Sequence, residues 1–367
     1  MRFNDHDTWI ENSLQNVTSY FKSGKNINAK MILEEGLYPV YGGNGIRGFT
    51  NTYNQDGKYI LVGRQGALCG NVRLVEGKSY VTEHGIIIIN NNQSTIEYLK
   101  PLLEHMHLEK ESDQSAQPGL AVNKLLLLKQ YFPSIENQER IGKLFTLLEM
   151  KIQLQNKIIE EKRLLKNLII DKIFFKSNTD FVPLSSLINL KNGYAFKSDC
   201  YSNSDGYKVI TIGNVSGDRY LDLKKFNCIS ILPIDIQEHQ ILKRGDLLIS
   251  LTGNVGRVSI CNESNCVLNQ RVGLIEFFDE DDKEYIYQIM SSKRFQNDMI
   301  SRAQGAAQLN IGKDDILNYR IPYLNDSIKR KKISSVLSIL DNVILTDENL
   351  LYAYDKQKQF LLNNLFI

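Results

Sequence analysis

The stretch Ile141-Gly142-Lys143-Leu144-Phe145-Thr146-Leu147-Leu148-Glu149 is met again as Ile333-Ser334-Ser335-Val336-Leu337-Ser338-Ile339-Leu340-Asp341, an offset of 333 − 141 = 192. The register persists to Asp171-Lys172-Ile173-Phe174, which stands against Asn363-Asn364-Leu365-Phe366. Upstream, Phe132-Pro133 and Ile321-Pro322 close the segment before each copy. The chain therefore reads as module, helix, module, helix, with boundaries at residues 1–135, 136–176, 177–325 and 326–367. Two similar surfaces held apart by helices make a ruler.

Helical spacing gives each long segment an apolar stripe. The first is Ile141, Leu144, Leu148, Ile152, Ile158, Leu165 and Ile169; the second is Ile333, Val336, Leu340, Ile344, Leu350, Leu361 and Leu365. A helix of about 38 residues is ~57 Å long, too long to bury its stripe on one small module. The sister helix is the expected partner, running antiparallel if a pseudo-twofold axis relates the halves. Gln155-Asn156 and Asp347-Glu348 interrupt the two stripes at matching positions. Such an interruption either fixes register or is a solvated dent. The expected fold class is α+β: two similar mixed α/β domains in tandem, separated by two long antiparallel coiled-coil-like helices.

Both modules are rich in glycine and short β-type runs. Tyr38–Tyr41, Tyr59–Val62, Gly70–Leu74 and Ile86–Ile89 read as strands, and residues 96–109 have helical spacing. In the second module Asp246–Ser250 leads into Gly253-Asn254-Val255-Gly256-Arg257-Val258, much as Tyr59–Val62 leads into Gly66-Ala67-Leu68-Cys69-Gly70-Asn71-Val72. A net charge of +2 over 367 residues excludes a polycation, so any nucleic-acid binding rests on local faces. Five unpatterned cysteines, no apolar signal core and no long apolar run lead us to expect a soluble cytoplasmic protein. Val72 stands where a phosphate loop ending Gly77-Lys78-Ser79 needs glycine, and Gly42-Gly43-Asn44-Gly45 lacks the dinucleotide register. Neither an Asn-Pro-Pro-Tyr tetrapeptide nor a Gly-x-Ser-x-Gly elbow is present. No catalytic, cofactor-binding or metal-binding residues are expected.

With its doubled plan, the chain resembles the specificity subunit of Type I restriction–modification enzymes over essentially its whole length. Arg2-Phe3 with Trp9-Ile10-Glu11 is similar to the family's module opening, and Phe181-Val182-Pro183-Leu184 to its second copy. Tyr38-Pro39-Val40-Tyr41-Gly42-Gly43-Asn44-Gly45-Ile46-Arg47-Gly48-Phe49 is similar to a motif of many target-recognition domains. Gln138-Glu139-Arg140-Ile141 and Lys331-Lys332-Ile333 open the helices. The resemblance implies two domains that each read half of a split DNA target, with the helices setting the gap. It also implies two methyltransferase subunits as partners, and restriction–translocation subunits as a further one. S-adenosylmethionine, ATP and Mg are expected on those partners, and none on this chain.

Arginine bridges guanine O6 and N7, while asparagine or glutamine bridges adenine N6 and N7. Side chains of these types beside glycine turns are Asn44, Arg47, Arg64 and Gln65 in the first module, and Asn254, Arg257, Asn269, Gln270, Arg271, Gln304 and Gln308 in the second. Phosphate anchors are sought among Lys22, Lys25, Lys58, Arg219, Lys224, Lys225, Arg244 and Arg302. Equally, the glycines at 63–70 and 253–256 read as tight turns that the fold requires. Two other functions fit the same plan: a subunit of a methylation-only complex, and a protein adaptor that reads no DNA.

Overall fold

The computed structural model describes residues 8–66, 68–112, 119–175, 180–202, 206–303 and 309–366. They fall into two units, Met1–Asn156 with Asn349–Ile367, and Lys157–Glu348. Unit one contains β1 (Ile10–Ser13), β2 (Thr18–Ser23), β3 (Tyr38–Gly42), β4 (Gly45–Thr50), β5 (Lys58–Gly63), β6 (Val72–Glu76), β7 (Tyr80–Val81), β8 (Gly85–Asn90), α1 (Ile96–His105), α2 (Val122–Leu126) and β9 (Lys129–Phe132). The long α3 (Ile135–Ile170) begins here, and a π-helical turn, Asp171–Phe175, follows it.

β2, β8, β5 and β6 form a sheet in that order, and β4, β3 and β7 a second. Ile86-Ile87-Ile88 is apolar without alternation because the first sheet is covered on both faces. Ile60, Val62, Ile86 and Ile88 pack with Tyr98, Leu99 and Leu102 of α1 and with Phe145 of α3. Tyr59, Leu61 and Ile87 pack with Val81 on the opposite face. Helix, sheet and small sheet make three layers around two cores.

Unit two repeats the plan with β10 (Phe181–Pro183), β11 (Ile188–Asn192), β12 (Tyr207–Ile210), β13 (Asn227–Ile229), β14 (Ile241–Leu242), β15 (Leu247–Ser250), β16 (Val258–Ile260), β17 (Cys266–Leu268) and β18 (Val272–Phe277). Then come α4 (Lys283–Met290), α5 (Lys293–Arg302), α6 (Lys313–Leu317), β19 (Arg320–Pro322) and α7 (Ser327–Leu365). The larger sheet runs β11-β18-β15-β16 and the smaller β13-β12-β17-β14. Leu247 and Ile249 face α4, and Leu248 faces the smaller sheet.

The repeat extends to single side chains. Tyr98 of α1 donates to the Tyr131 carbonyl at 3.1 Å and packs at a tilt against Phe366; Tyr285 of α4 donates to the Pro322 carbonyl at 3.0 Å and packs edge-on against Phe174. Glu149 in unit one accepts from Lys358 at 2.8 Å, and Asp341 in unit two accepts from Lys166 at 2.5 Å. These partners stand 192 residues apart, pair for pair. In unit one Lys151 also lies over the Tyr354 ring, and in unit two Lys162 donates to Asp347. Rising numbers on α3 thus meet falling numbers on α7, so the helices run antiparallel inside each unit.

The buried seam differs from the expected stripe. On α3 it passes through Ile141, Phe145, Leu148, Ile152, Gln155, Ile159, Lys162, Lys166 and Ile170, and on α7 through Arg330, Ser334, Leu337, Asp341 and Ile344. Over most of its length its steps alternate between three and four residues, the heptad period of a coiled coil. Ile141, Leu148, Ile152 and Ile344 lie on it, while Leu144, Ile158, Ile333, Leu340 and Leu361 are half-buried beside it. Leu165, Val336 and Leu350 do not: they are 50%, 60% and 40% exposed. The seam carries Gln155, Lys162, Lys166 and Asp341 at its centre, so a search for apolar residues settles on their neighbours instead. Nor is the interruption a solvated dent, because Asp347 and Glu348 are paired with Lys162 and Arg163.

Candidate nucleic-acid interface

In unit one the C-terminal end of β5 runs into Gly63-Arg64-Gln65-Gly66, held almost wholly by backbone. Gly63 donates to the Asn71 carbonyl and Arg64 to the His84 carbonyl, each at 2.9 Å; Gly70 donates back to Gly63 and Leu120 to Arg64. The β3–β4 turn is packed on top. A Cβ at Gly43 would come 2.8 Å from the Gln65 carbonyl oxygen and 3.1 Å from that of His84, so glycine is what lets the turn sit down. Gln65 Oε1 lies 2.7 Å from His84 Nδ1, which ties the two side chains together, and the Asn44 side-chain oxygen lies over neighbouring Gly66. The Arg73 guanidinium lies over Gly45.

Unit two builds the same frame. Ser250 donates to the Arg257 carbonyl, Gly256 to Ser250, Leu251 to the Arg271 carbonyl, and Ile311 to Leu251. His84 N bonds the Thr82 hydroxyl as Arg271 N bonds the Asn269 carboxamide, at 3.4 and 3.2 Å. Lys25 N reaches the Val81 carbonyl as Tyr194 N reaches that of Leu268. These bonds superimpose Gln65 on Thr252, His84 on Arg271, Glu83 on Gln270, Thr82 on Asn269, and Lys25 on Tyr194. One backbone frame carries two different sets of side chains.

Asn44, Gln65, Asn269, Gln270 and Arg271 stand on the frame, and Asn254 is exposed on its outer loop. Arg47 is exposed on β4, its side chain lying over Gly42. Arg64 is half-buried and donates to the Leu120 carbonyl, and Arg257 lies over Gly217. Gln304 and Gln308 lie outside the described residues. Among the phosphate candidates, Lys22, Lys25, Lys224, Lys225 and Arg244 are exposed. Arg302 donates to the Asp315 carbonyl, and Lys58 pairs with Glu97 at 2.5 Å. Arg219 is no anchor: both of its terminal nitrogens donate to Glu284 at 2.8 Å, and one also reaches Asp341. Burial opposes its charge, but the Glu284 carboxylate outweighs it and raises the pKa further above the usual value.

His84, Arg73 and Thr252 join the site without having been expected there. Glu83-His84-Gly85 precedes a buried strand as Gln270-Arg271-Val272 does, and that shared order was the available signal. Arg73 is the exposed residue next to buried Val72 on β6. Among the described residues no group of three His, Cys, Asp or Glu side chains is placed to hold a metal ion. No helix among them is long and apolar enough to cross a membrane.

The model of the Type I restriction modification DNA specificity domain matches this sequence twice, over residues 6–162 and 176–351. The chain belongs to this family. The EcoprrI specificity subunit of Escherichia coli is 41% identical over 146 residues, which cover 39% of this chain and 36% of that relative. The chain thus spans about a third of that relative's length. The MjaVIII specificity subunit of Methanocaldococcus jannaschii is 23% identical over 331 residues, covering 83% of this chain and 74% of the relative. The chain shares its fold with the S subunit of Mycoplasma genitalium, at a TM-score of 0.69 and 16% identity over 100% of this chain and 98% of that one. A chain from the structure on complex assembly and conformational transition of the type I R-M system gives 0.52 at 12% identity, covering 97% and 96%.

Proposed function

We propose that this specificity subunit reads a bipartite DNA sequence, one half-site per unit, and directs methyltransferase and restriction subunits to it without catalysing the reaction itself. The observation that carries this reading is the shared frame with unlike side chains: Gln65, Glu83 and His84 in one unit, Thr252, Gln270 and Arg271 in the other. Two readers of different sequences need one geometry and two sets of base-edge donors and acceptors. S-adenosylmethionine, ATP and Mg would then be held by the partners. Exposed apolar side chains on the helices offer those partners a surface: Leu147, Met150 and Leu154 in unit one, Leu164, Leu165 and Leu168 in unit two.

Single-molecule sequencing of DNA from cells that co-express the chain with its neighbouring methyltransferase subunit tests the reading directly. The expected result is a split methylated motif with a fixed gap. Replacing residues 1–135 with another recognition domain should change one half of that motif. Absence of any motif from an assembled complex, or a change in both halves on replacement, would overturn the proposal.

A further inference from the structure

One segment of unit two is longer than its counterpart in unit one. Gln55 pairs with Ser79 as Leu242 pairs with Cys266, and Thr50 pairs with Tyr38 as Ile229 pairs with Tyr207. Residues 51–54 therefore bridge in one unit what residues 230–241 bridge in the other. The longer bridge is anchored from below. Leu232 and Ile236 pack against buried Val209, Ile229 and Val267. The Ile236 N–H closes a turn on the Pro233 carbonyl at 3.2 Å, and His239 Nε2 lies 3.1 Å from the Asn192 carbonyl oxygen. Outward, Ile231 is 84% exposed and Ile234 is 107% exposed.

Tyr194 joins this tip to the reading frame. Its hydroxyl donates to Asp235 Oδ1 at 2.8 Å, while its backbone bonds Leu268 and Gln270 of the reading loop. We propose that Ile234 is an apolar wedge that inserts between two base steps in or beside the second half-site. The inference rests on the DNA-reading function above. Apolar side chains of this size partly unstack and kink duplex DNA, and the bend repays that cost in contact. Pro233 and the two inward anchors hold the tip in place before binding, which lowers the ordering cost. Continuity with Tyr194, Gln270 and Arg271 is what points the wedge at DNA rather than at a protein.

The test uses the chain assembled with its methyltransferase subunits, on duplexes that carry the mapped site. A single 2-aminopurine is placed in turn along the second half-site and its flank, away from the methylated base. Binding should raise fluorescence several-fold at one step; Ile234→Ser should abolish that rise and weaken binding roughly tenfold, while Ile234→Leu keeps both. A rise that Ile234→Ser leaves intact would refute the wedge and spare the reading of DNA, as would no rise at any step in a complex that still binds its site. Loss of methyltransferase co-purification in Ile234→Ser, with DNA contact unchanged, would assign the tip to a protein partner instead. Failure of the unaltered complex to prefer any sequence would overturn the DNA reading and the wedge together.

Discussion

Removing Asp341 should be among the costliest single substitutions on the helices, and removing its partner as well should restore most of the loss. Asp341 accepts from Lys166 at 2.5 Å, from Gln288 at 2.7 Å and from Arg219 at 3.1 Å, and its side chain is almost wholly buried. In Asp341→Leu, Arg219 keeps Glu284, but Lys166 loses its carboxylate and keeps a 3.4 Å contact with the Ser291 hydroxyl and a place 5.5 Å from the Tyr287 ring centroid. Stranding one member of a buried ion pair costs about 3–5 kcal/mol, whereas replacing both by apolar groups is near neutral. For a unit of this size that is a fall in Tm of roughly 6–20 °C. Burial pulls the Lys166 pKa below its ordinary value even with Asp341 opposing the shift. The penalty on a depressed lysine is present below its folded pKa and relieved as pH rises toward 10.5, so Asp341→Leu should regain stability in alkali. Calorimetry on the parent, Asp341→Leu, Lys166→Met and the double variant supplies the cycle. A double variant as unstable as Asp341→Leu alone would refute the reasoning, as would an Asp341→Leu loss under about 1 kcal/mol.

In unit one burial pushes the Glu149 carboxyl up, but Lys100 and Lys358 outweigh it and hold the pKa below 4.5. Its contribution is complete above pH 4.5 and lost as pH falls through the folded value, so Glu149→Gln should flatten the acid limb of stability in a pH series of thermal melts. Arg271→Ala should weaken DNA binding by about 1–3 kcal/mol and relax selectivity in the second half-site alone, read by anisotropy titration on substituted duplexes. Gly43→Val places a Cβ against two carbonyl oxygens, so the turn must withdraw from the frame. Methylation mapping of that variant should show degraded first-half selectivity with the second half intact.

The fold was legible because its signals are redundant. The 192-residue offset and the paired Phe132-Pro133 and Ile321-Pro322 each report the doubled architecture, the uninterrupted run Ile86–Ile89 reports a buried strand, and the structure repeats the plan down to Tyr98 and Tyr285. The helix seam was legible in period but not in phase. Hydrophobicity favours Leu165 over Lys166 and Leu340 over Asp341, yet a charge whose partner comes from the sister helix can occupy the seam. Partners 175 residues apart leave no local trace. The site was half legible for a related reason. Glycine turns mark where the chain bends, and Asn44, Gln65 and Arg271, chosen beside such turns, stand on the frame. His84 was missed because it enters by long-range backbone bonds to Arg64 that no spacing rule anticipates.

Those bonds also explain how one frame carries two different sets of side chains. Gly63, Arg64 and Gly70 in one unit, and Ser250, Leu251 and Gly256 in the other, hold the frame mainly through backbone N–H and carbonyl groups. Backbone bonds are indifferent to side-chain identity except where glycine admits a close approach, as at Gly43 and Gly193. His84 can stand where Arg271 stands, and Gln65 where Thr252 stands, without disturbing the sheet beneath. Stability and address are therefore carried by different atoms of the same residues. Exchanging the exposed Gln65 and Arg271 side chains should alter the sequence bound at little cost in folding, and the composition of the frame constrains its shape far more than its target.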